Sequence, residues 1–487
     1  MANVTFPFPF PQHLELIYPE IFVAVMAMVI LIWDLFLAKE RKVMVAYASL
    51  LTCIGAASLT LQAAGSEAML TFYGYFVLDP FAAFAKLLMY AATVFGIILS
   101  LDYMKDEENV GEYYCLMLFS LLGMMLMVSS NNFITMYLGL ELMALSIYVL
   151  VGYQRDVLRS NEAALKYFIL GALSSGMLLY GITFLYGVTA SFSFVGIGEG
   201  LANADESSHM AVMLGMLFVI AGLAFKVSVA PFHMWTPDTY EGAPTPVTAF
   251  MSVAPKVAGF IVFMRVLVDA LPSLQADYTT ILTILAVLTM AVGSLAAIAQ
   301  RNIKRMLAYS TVSHVGFILL GLIAANTAGY TGALVYLTVY LFMSMGAFAV
   351  IVLMRREGIQ GELLDDFAGL SKVRPGYALA MGLLLFSLAG IPFLGGFWAK
   401  YTVILAAIQA GHLYLALFAI VASAIGAFYY IRVVKYMYFD EERVAFNFVE
   451  SKLMQATVVV TAIAVVAIGV YPDPVLAICK TALAGLV

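Results

Sequence analysis

Glu141, Lys166, Lys226, Lys256 and Lys400 each interrupt a long apolar stretch of this chain. An ionised side chain at the centre of a bilayer costs roughly 2.5–3.5 kcal/mol on insertion scales, and such residues mark ion pathways and proton relays. Five of them, four being lysines, point to a path for protons through a membrane domain. The composition supports the membrane setting. Hydrophobic residues make up 63% of the 487 and charged residues only 11%, with a mean hydropathy of +0.98, whereas soluble proteins carry about 25% charged residues. The net charge of −6 decides little, because the location of the charges matters more than their sum. No nucleic-acid partner is expected. Cys53, Cys115 and Cys479 lie far apart and offer neither a CxxC pair nor a metal spacing, so they read as small buried residues. The start of the chain is rich in Pro and Phe and lacks the basic stretch of a signal peptide, so no cleaved leader is expected.

A helix needs about 20 apolar residues to cross a bilayer. That measure predicts fourteen spans, at 15–37, 43–63, 79–101, 112–130, 132–152, 161–188, 209–240, 244–269, 278–299, 303–324, 329–354, 375–408, 412–438 and 453–472. The short connections leave no room for a soluble domain. Basic residues gather at one membrane face. They are Lys39, Arg41, Lys42, Lys105, Arg155, Arg159, Arg301, Lys304, Arg305, Arg355, Arg356, Lys372, Arg374, Arg432, Lys435, Arg443 and Lys452. By the positive-inside rule this face is cytoplasmic, and both termini then point outward. Lys86, Arg265 and Lys480 lie near span ends, from which long basic side chains can snorkel to the headgroups.

The helical rise of about 1.5 Å per residue gives depths. Glu141 lies about 14 Å into its span, Lys256 about 18 Å, His314 about 14 Å and Lys400 about 16 Å, all near the midplane of a core about 30 Å thick. Lys166 is shallower, about 9 Å inside Ser160. The spans carrying Lys226 and Lys400 are too long for one straight crossing: 33 residues separate His209 from Gly242, and 37 separate Arg374 from Gly411. Pro231 follows Lys226, and Pro392 with Gly395 and Gly396 precedes Lys400. Proline removes a helical hydrogen bond, and broken helices beside ionisable groups mark ion sites in transporters. His233 lies beside the first break. His13, His209 and His412 fall near the outer surface and receive no role.

Glu141 and His314 are 173 residues apart, and Lys226 and Lys400 are 174 apart. The first pair lies on spans 5 and 10 and the second on spans 7 and 12, so the spacing predicts two inverted five-helix repeats. The expected organisation is an N-terminal three-helix segment (1–105), a first repeat of spans 4–8 (106–271), a second of spans 9–13 (272–440) and a C-terminal span (441–487). The fold class is an all-α polytopic membrane protein with helices 7 and 12 broken. Lys256 maps near Tyr430 and Lys166 near Tyr340, so the second half carries fewer charges. Gly196-Ile-Gly-Glu-Gly reads as a turn in an outer loop, with no strand–glycine–helix unit to hold a nucleotide.

The stretch from Ala224 through Lys226, Pro231, His233, Trp235 and Asp238 to Val247 resembles the signature of the antiporter-like subunits of respiratory complex I and of Mrp cation/proton antiporters. Gly139-Leu-Glu-Leu, Ser252-Val-Ala-Pro-Lys and the fourteen spans extend the resemblance over nearly the whole chain. Gly390-Ile-Pro-Phe-Leu-Gly-Gly-Phe-Trp-Ala-Lys is most similar to the N-subunit branch of bacterial NADH:quinone oxidoreductase. The M branch typically has glutamate at the position of Lys400, and the L branch carries a long lateral helix after its last span.

The resemblance implies a proton-translocating NADH:quinone oxidoreductase subunit in the bacterial inner membrane. NADH, FMN, iron–sulfur clusters and quinone would be bound by partner subunits, and this chain would hold no cofactor. Its neighbours would be other antiporter-like and small hydrophobic membrane subunits. It also implies roles: Glu141 and Lys226 as an ion pair, Lys256 as the central relay and Lys400 as the second-half lysine. His233 and His314 would be connecting polar groups, and Lys166 would modulate the pair. Burial makes a lysine lose its proton more easily and a nearby carboxylate restores it, so a movable pair can load and unload Lys226. Two other readings remain, a subunit of an Mrp-type antiporter or of a membrane-bound hydrogenase, and a solute transporter or passive scaffold. The topology is tested by single cysteines at Asn203 and Gly358 in a cysteine-free chain. Asn203 is expected to react with an impermeant reagent in intact cells and Gly358 only after the membrane is opened; labelling of both from outside contradicts fourteen spans.

Overall fold

In a bilayer every backbone polar group must find a partner within the protein, and helices satisfy this locally. The computed structural model describes residues 13–65, 67–105, 107, 109–354, 361–441 and 451–486, and the chain is almost entirely helical. In chain order the helices are α1 (Tyr18–Asp34), α2 (Val43–Ala63), α3 (Pro80–Ser100), α4 (Val110–Val128), α5 (Phe133–Val151), α6 (Leu158–Thr189), α7 (Phe194–Ala202), α8 (His209–Val227), α9 (Trp235–Gly242), α10 (Thr245–Arg265), α11 (Gln275–Ile298), α12 (Ile303–Ile323), α13 (Thr327–Leu353), α14 (Leu370–Val373), α15 (Pro375–Ala389), α16 (Gly395–Gln409), α17 (Leu413–Phe439), α18 (Lys452–Val470) and α19 (Asp473–Leu483). Thirteen helical segments among the described residues are long and apolar enough to cross a membrane. The shorter apolar α15 together with α16 makes the broken twelfth of the fourteen expected spans. Helix starts follow local chemistry. Asn132, Asn302 and Asn326 accept hydrogen bonds from first-turn amides, and Asp79 does the same for α3 ahead of Pro80.

Three features depart from the sequence reading. Gly196–Gly200 is not a turn but the middle of α7, whose amides are started by the side chain of Ser193. A two-stranded hairpin pairs β1 (Met69–Thr71) with β2 (Phe76–Leu78), and α19 follows the last span. Arg355, Arg356, Arg443 and Gly358 fall outside the described residues.

α10 is the axis of the molecule, with every residue from Thr245 to Arg265 buried. It packs against α3, α4, α8 and α13, while α12 and α13, almost wholly buried, pack against each other beside it. The α4–α5 and α11–α12 pairs cross backbone to backbone. A Cβ on Gly123 would meet the Met143 amide nitrogen at 2.4 Å, and one on Gly293 would meet that of Ser313 at 2.4 Å. Small residues permit such close approach within a membrane.

Both predicted breaks are present. α8 ends at Ser228 (φ 70°), and α15 ends at Gly390 (φ 89°), each in the left-handed conformation. Lys226 lies two residues before its break, whereas Lys400 lies beyond its own, within α16. Their regular spacing therefore does not put the two lysines at matching points of their helices. Gly396 is required at the second break, because a Cβ there would sit 1.8 Å from the Ser387 carbonyl oxygen.

Lys86 and Arg265 do not snorkel. Lys86 is fully buried with its Nζ 2.6 Å from Glu20 Oε1, and Arg265 is buried with Nη2 2.8 and 3.1 Å from the Asp79 carboxylate oxygens. Lys86 meets Glu20 in the first turn of α1 and Arg265 meets Asp79 at the N-cap of α3, which removes the drive toward the headgroups. The glycine crossings generate a prediction. Gly293→Val forces a side chain into the α12 backbone, and overpacking of this kind costs about 1–3 kcal/mol or more. The variant is expected to accumulate poorly in membranes, while Gly376→Ala, with open space at that position, accumulates normally. Quantitative immunoblotting of membrane fractions measures both.

Candidate functional site

The break after α8 builds the first part of the site. Freed from the helix, Ser228 turns its hydroxyl inward and accepts from Lys256 Nζ at 2.8 Å. Thr236, on the first turn of α9, donates to the same oxygen at 2.8 Å. The Lys256 ammonium also sits 4.8 Å from the Trp235 ring centroid and 5.8 Å from that of Tyr240, a cation–π arrangement that offsets part of the lost hydration. Trp235 is fixed in turn by a 3.0 Å hydrogen bond from Nε1 to the Phe225 carbonyl and by stacking on Tyr167. Lys256 is thus buried with neutral partners and no counter-ion within ion-pair distance among the described residues.

Lys226 is buried on α8 and donates to Ser175 of α6 at 3.3 Å. Glu141 is half-buried on α5, and its Oε1 is enclosed without a hydrogen-bond partner among the described residues. Glu141 and Lys226 do not close into the direct ion pair that the resemblance implies. α6 packs against both α5 and α8, and Lys226 turns to Ser175 of α6 instead. Leu138 and Leu145, one turn either side of Glu141, are exposed, so α5 presents the carboxylate near the edge of the subunit.

His314 on α12 is buried between two tyrosines. Nδ1 lies 2.6 Å from Tyr336 Oη and Nε2 lies 2.9 Å from Tyr430 Oη. Tyr430 makes a further short contact with the hydroxyl of Ser310, and Thr311 pairs with Tyr340 at 2.8 Å. Ser252 on α10 meets Ser344 on α13 at 2.9 Å. Hydroxyls therefore populate the space between the Lys256 and His314 regions. Lys400 donates to the Ala389 carbonyl at 2.8 Å, freed by the second break, and to Ser423 at 2.9 Å. It lies 5.0 Å from the Phe317 ring centroid. A cavity of about 420 Å³ borders it, lined also by Pro392, Tyr401, Ile420 and Ser423.

His233 sits in the loop between α8 and α9, its Nδ1 enclosed and without a hydrogen-bond partner among the described residues, 6.5 Å between ring centroids from Tyr309. Lys166 is placed elsewhere. It is exposed and bonds Glu162 at 2.8 Å and Asp238 at 2.9 Å, because the first turns of α6 lie beside α9 rather than beside the buried lysines. It belongs to a charged cluster on the basic face with Arg159, Glu241, Lys304, Arg305 and Glu362. Burial alone raises the Glu362 carboxyl, but Lys304 and Arg159 outweigh this and hold it below the usual carboxylate range.

Sequence reasoning missed the tyrosine and hydroxyl partners and this cluster. Asp238 and Glu241 were within reach, since both lie in the quoted signature stretch; Tyr336 and Ser423 carried no signal apart from their helix positions. No group of three or more His, Cys, Asp or Glu side chains among the described residues is arranged to hold a metal ion.

The arrangement is similar to that of known proteins. Residues 130–426 match the family model described as NADH:quinone oxidoreductase/Mrp antiporter, TM. NADH-quinone oxidoreductase subunit N of Thioalkalivibrio sulfidiphilus is 45% identical over 477 residues, covering 98% of this chain and 99% of that protein. Subunit N of Paramagnetospirillum magneticum is 45% identical, covering 96% of each. A chain of respiratory complex I from Thermus thermophilus with bound Aureothin superposes with a TM-score of 0.80 at 30% identity, covering 94% of this chain and 98% of that one. A chain of the Mrp complex from Dietzia shares the fold at 23% identity, with a TM-score of 0.84, covering 98% of each.

Proposed function

The chain belongs to the subunit N family of NADH-quinone oxidoreductase, and on that premise we propose that it translocates protons through Glu141, Lys226, Lys256, His314 and Lys400 as a membrane subunit of that enzyme. The observation that carries the reading is the state of the three lysines. Lys226, Lys256 and Lys400 are buried, each is held by hydroxyls or a carbonyl, and none lies within ion-pair distance of a carboxylate among the described residues. A lysine built only for stability would be closed by a carboxylate, as Lys86 is by Glu20. An ammonium held by neutral dipoles can give up its proton and leave a neutral amine, because burial disfavours the charged form.

In this reading the basic face is cytoplasmic and both termini face outward, in the inner membrane of a bacterium. A proton reaching Lys226 is stabilised when Glu141 approaches and released when it withdraws. The hydroxyls of Ser228, Thr236, Ser252, Ser344 and Tyr340 accept and donate hydrogen bonds between Lys256 and the second half. His314 takes a proton at one ring nitrogen and returns it at the other, with Tyr336 and Tyr430 as partners. Lys400 ends the path beside its cavity. His233 serves the same path at the first break, and Lys166 acts from the charged cluster. In this reading the steps are divided between two inverted repeats, 106–271 and 272–440, behind the three-helix segment 1–105 and ahead of the last span in 441–487.

Electron transfer takes place in partner subunits, which hold NADH, FMN, iron–sulfur clusters and quinone. The exposed edge of α5 around Glu141 is a surface for a neighbouring membrane subunit, since a half-buried carboxylate left facing lipid would be expensive.

Two outcomes test this reading. Lys400→Ala is expected to depress proton pumping and coupled quinone reduction of the assembled complex strongly, a positioned proton-transfer group typically contributing about 10²–10⁴-fold, with NADH-to-ferricyanide activity unchanged. Lys400→Arg is expected not to restore full function, because arginine stays protonated. Normal pumping by the alanine variant removes Lys400 from the path. Glu141→Gln is expected to lose most coupled turnover and Glu141→Asp to keep part of it. If Gln matches wild type while Asp does not, shape rather than charge matters there.

A further inference from the structure

α9 is only eight residues long, Trp235–Gly242, and helices this short are not stable by themselves. Its position is therefore set by what grips it. Two of its side chains, Asp238 and Glu241, lie one helical turn apart on one face. Arg305 of α12 bonds both with one terminal nitrogen, to Asp238 at 2.6 Å and to Glu241 at 2.9 Å. From the other side α6 supplies Lys166 to Asp238 at 2.9 Å and Arg159 to Glu241 at 2.9 Å. The C-terminal end is also held. The carbonyl of Ala243 accepts from the buried Lys304 of α12 at 2.7 Å, a cation placed where the helix dipole favours one. Lys304 and Arg159 then share Glu362, at 2.8 and 3.2 Å.

The opposite end of the same short helix is where Lys256 is seated. Trp235 lies beneath the ammonium, and Thr236 shares with it the hydroxyl of Ser228. A shift of α9 by a fraction of a helical turn would carry Trp235 and Thr236 away from Lys256 while leaving α10, which is buried throughout, in place. The clasp reaches from α6, on the first-half side, to α12, on the second.

We propose that Arg305 is a positioning residue: by clasping Asp238 and Glu241 between α12 and α6 it fixes α9, and through Trp235 and Thr236 it sets the hydrogen-bonding site of Lys256, so that displacement of α12 against α6 is transmitted to that lysine. This rests on the reading of Lys256 as a proton carrier. It assigns the charged cluster a mechanical role, distinct from carrying protons itself.

The experiment uses the assembled complex in vesicles, with Arg305→Gln, Arg305→Lys and, as a benchmark, Lys256→Ala. Amide hydrogen exchange over 235–243 and protons pumped per electron are both measured, normalised to the amount of assembled complex. Arg305→Gln is expected to speed exchange in this segment by roughly tenfold, the scale of a loosened local unit, with the middle of α12 still protected. Pumping per electron falls by a few-fold, the range for an element coupled to a distant site. Arg305→Lys, which keeps the charge and assembles if the glutamine variant does not, recovers part of both. Unchanged exchange over 235–243 in either variant overturns the clasp. Faster exchange with normal pumping, while Lys256→Ala pumps poorly, overturns the link to Lys256 and leaves the proton-carrier reading standing. Normal pumping by Lys256→Ala overturns that reading and this proposal together.

Discussion

The structure depends on how a membrane protein holds an ammonium group away from water without neutralising it permanently. Two solutions stand side by side. Lys86 and Arg265 are closed by the carboxylates of Glu20, in the first turn of α1, and Asp79, at the N-cap of α3. Lys226, Lys256 and Lys400 have only hydroxyls, a carbonyl and aromatic faces. A direct ion pair stabilises the charged form strongly, whereas neutral dipoles stabilise it weakly enough for protonation to be reversible. The proposed function follows from that contrast more than from the number of charges.

Two of those dipoles come from the breaks, whereas Ser175 and Ser423 project from the unbroken α6 and α17. An unbroken helix uses its carbonyls internally and offers none of them to a neighbour. At Ser228 the chain leaves the helix with its side-chain hydroxyl on Lys256, while at Ala389 a backbone carbonyl comes free for Lys400. The freed groups are costly at membrane depth unless protein or water satisfies them, and here the lysines do so. Helix breaks and buried lysines are thus two halves of one arrangement, each meeting the needs of the other. The central position of α10, buried along its length, keeps Lys256 away from lipid on all sides.

Much of this was legible in the sequence because membrane spans are set by length and hydropathy, which are local properties. The two broken spans were visible as overlong apolar runs with Pro231, Pro392 and a glycine pair. Partner choice was not legible, since it depends on which helix faces which. Lys166 looked like a buried charge but lies on the exposed side of α6, where Glu162 and Asp238 hold it. Lys86 looked like a snorkelling residue because Glu20, in the first turn of α1, gave no hint that it would meet α3. The near-equal offsets of Glu141 to His314 and Lys226 to Lys400 hid the fact that Lys226 precedes its break and Lys400 follows its own. Tyr336 and Tyr430 flank His314 from two different helices, a relation that no local pattern encodes.

The central claim is that a titratable amine, and not merely a positive charge, is needed at the buried lysine positions. Lys400 permits a direct measurement because a cavity of about 420 Å³ borders it. In a Lys400→Cys variant lacking Cys53, Cys115 and Cys479, the thiol can be alkylated either to an aminoethyl group or to its trimethylated, permanently charged counterpart. Proton pumping per electron is then compared in vesicles containing the assembled complex. The account predicts that the primary amine restores pumping and the quaternary ammonium does not. Equal restoration by both would show that fixed charge suffices, and would contradict the account.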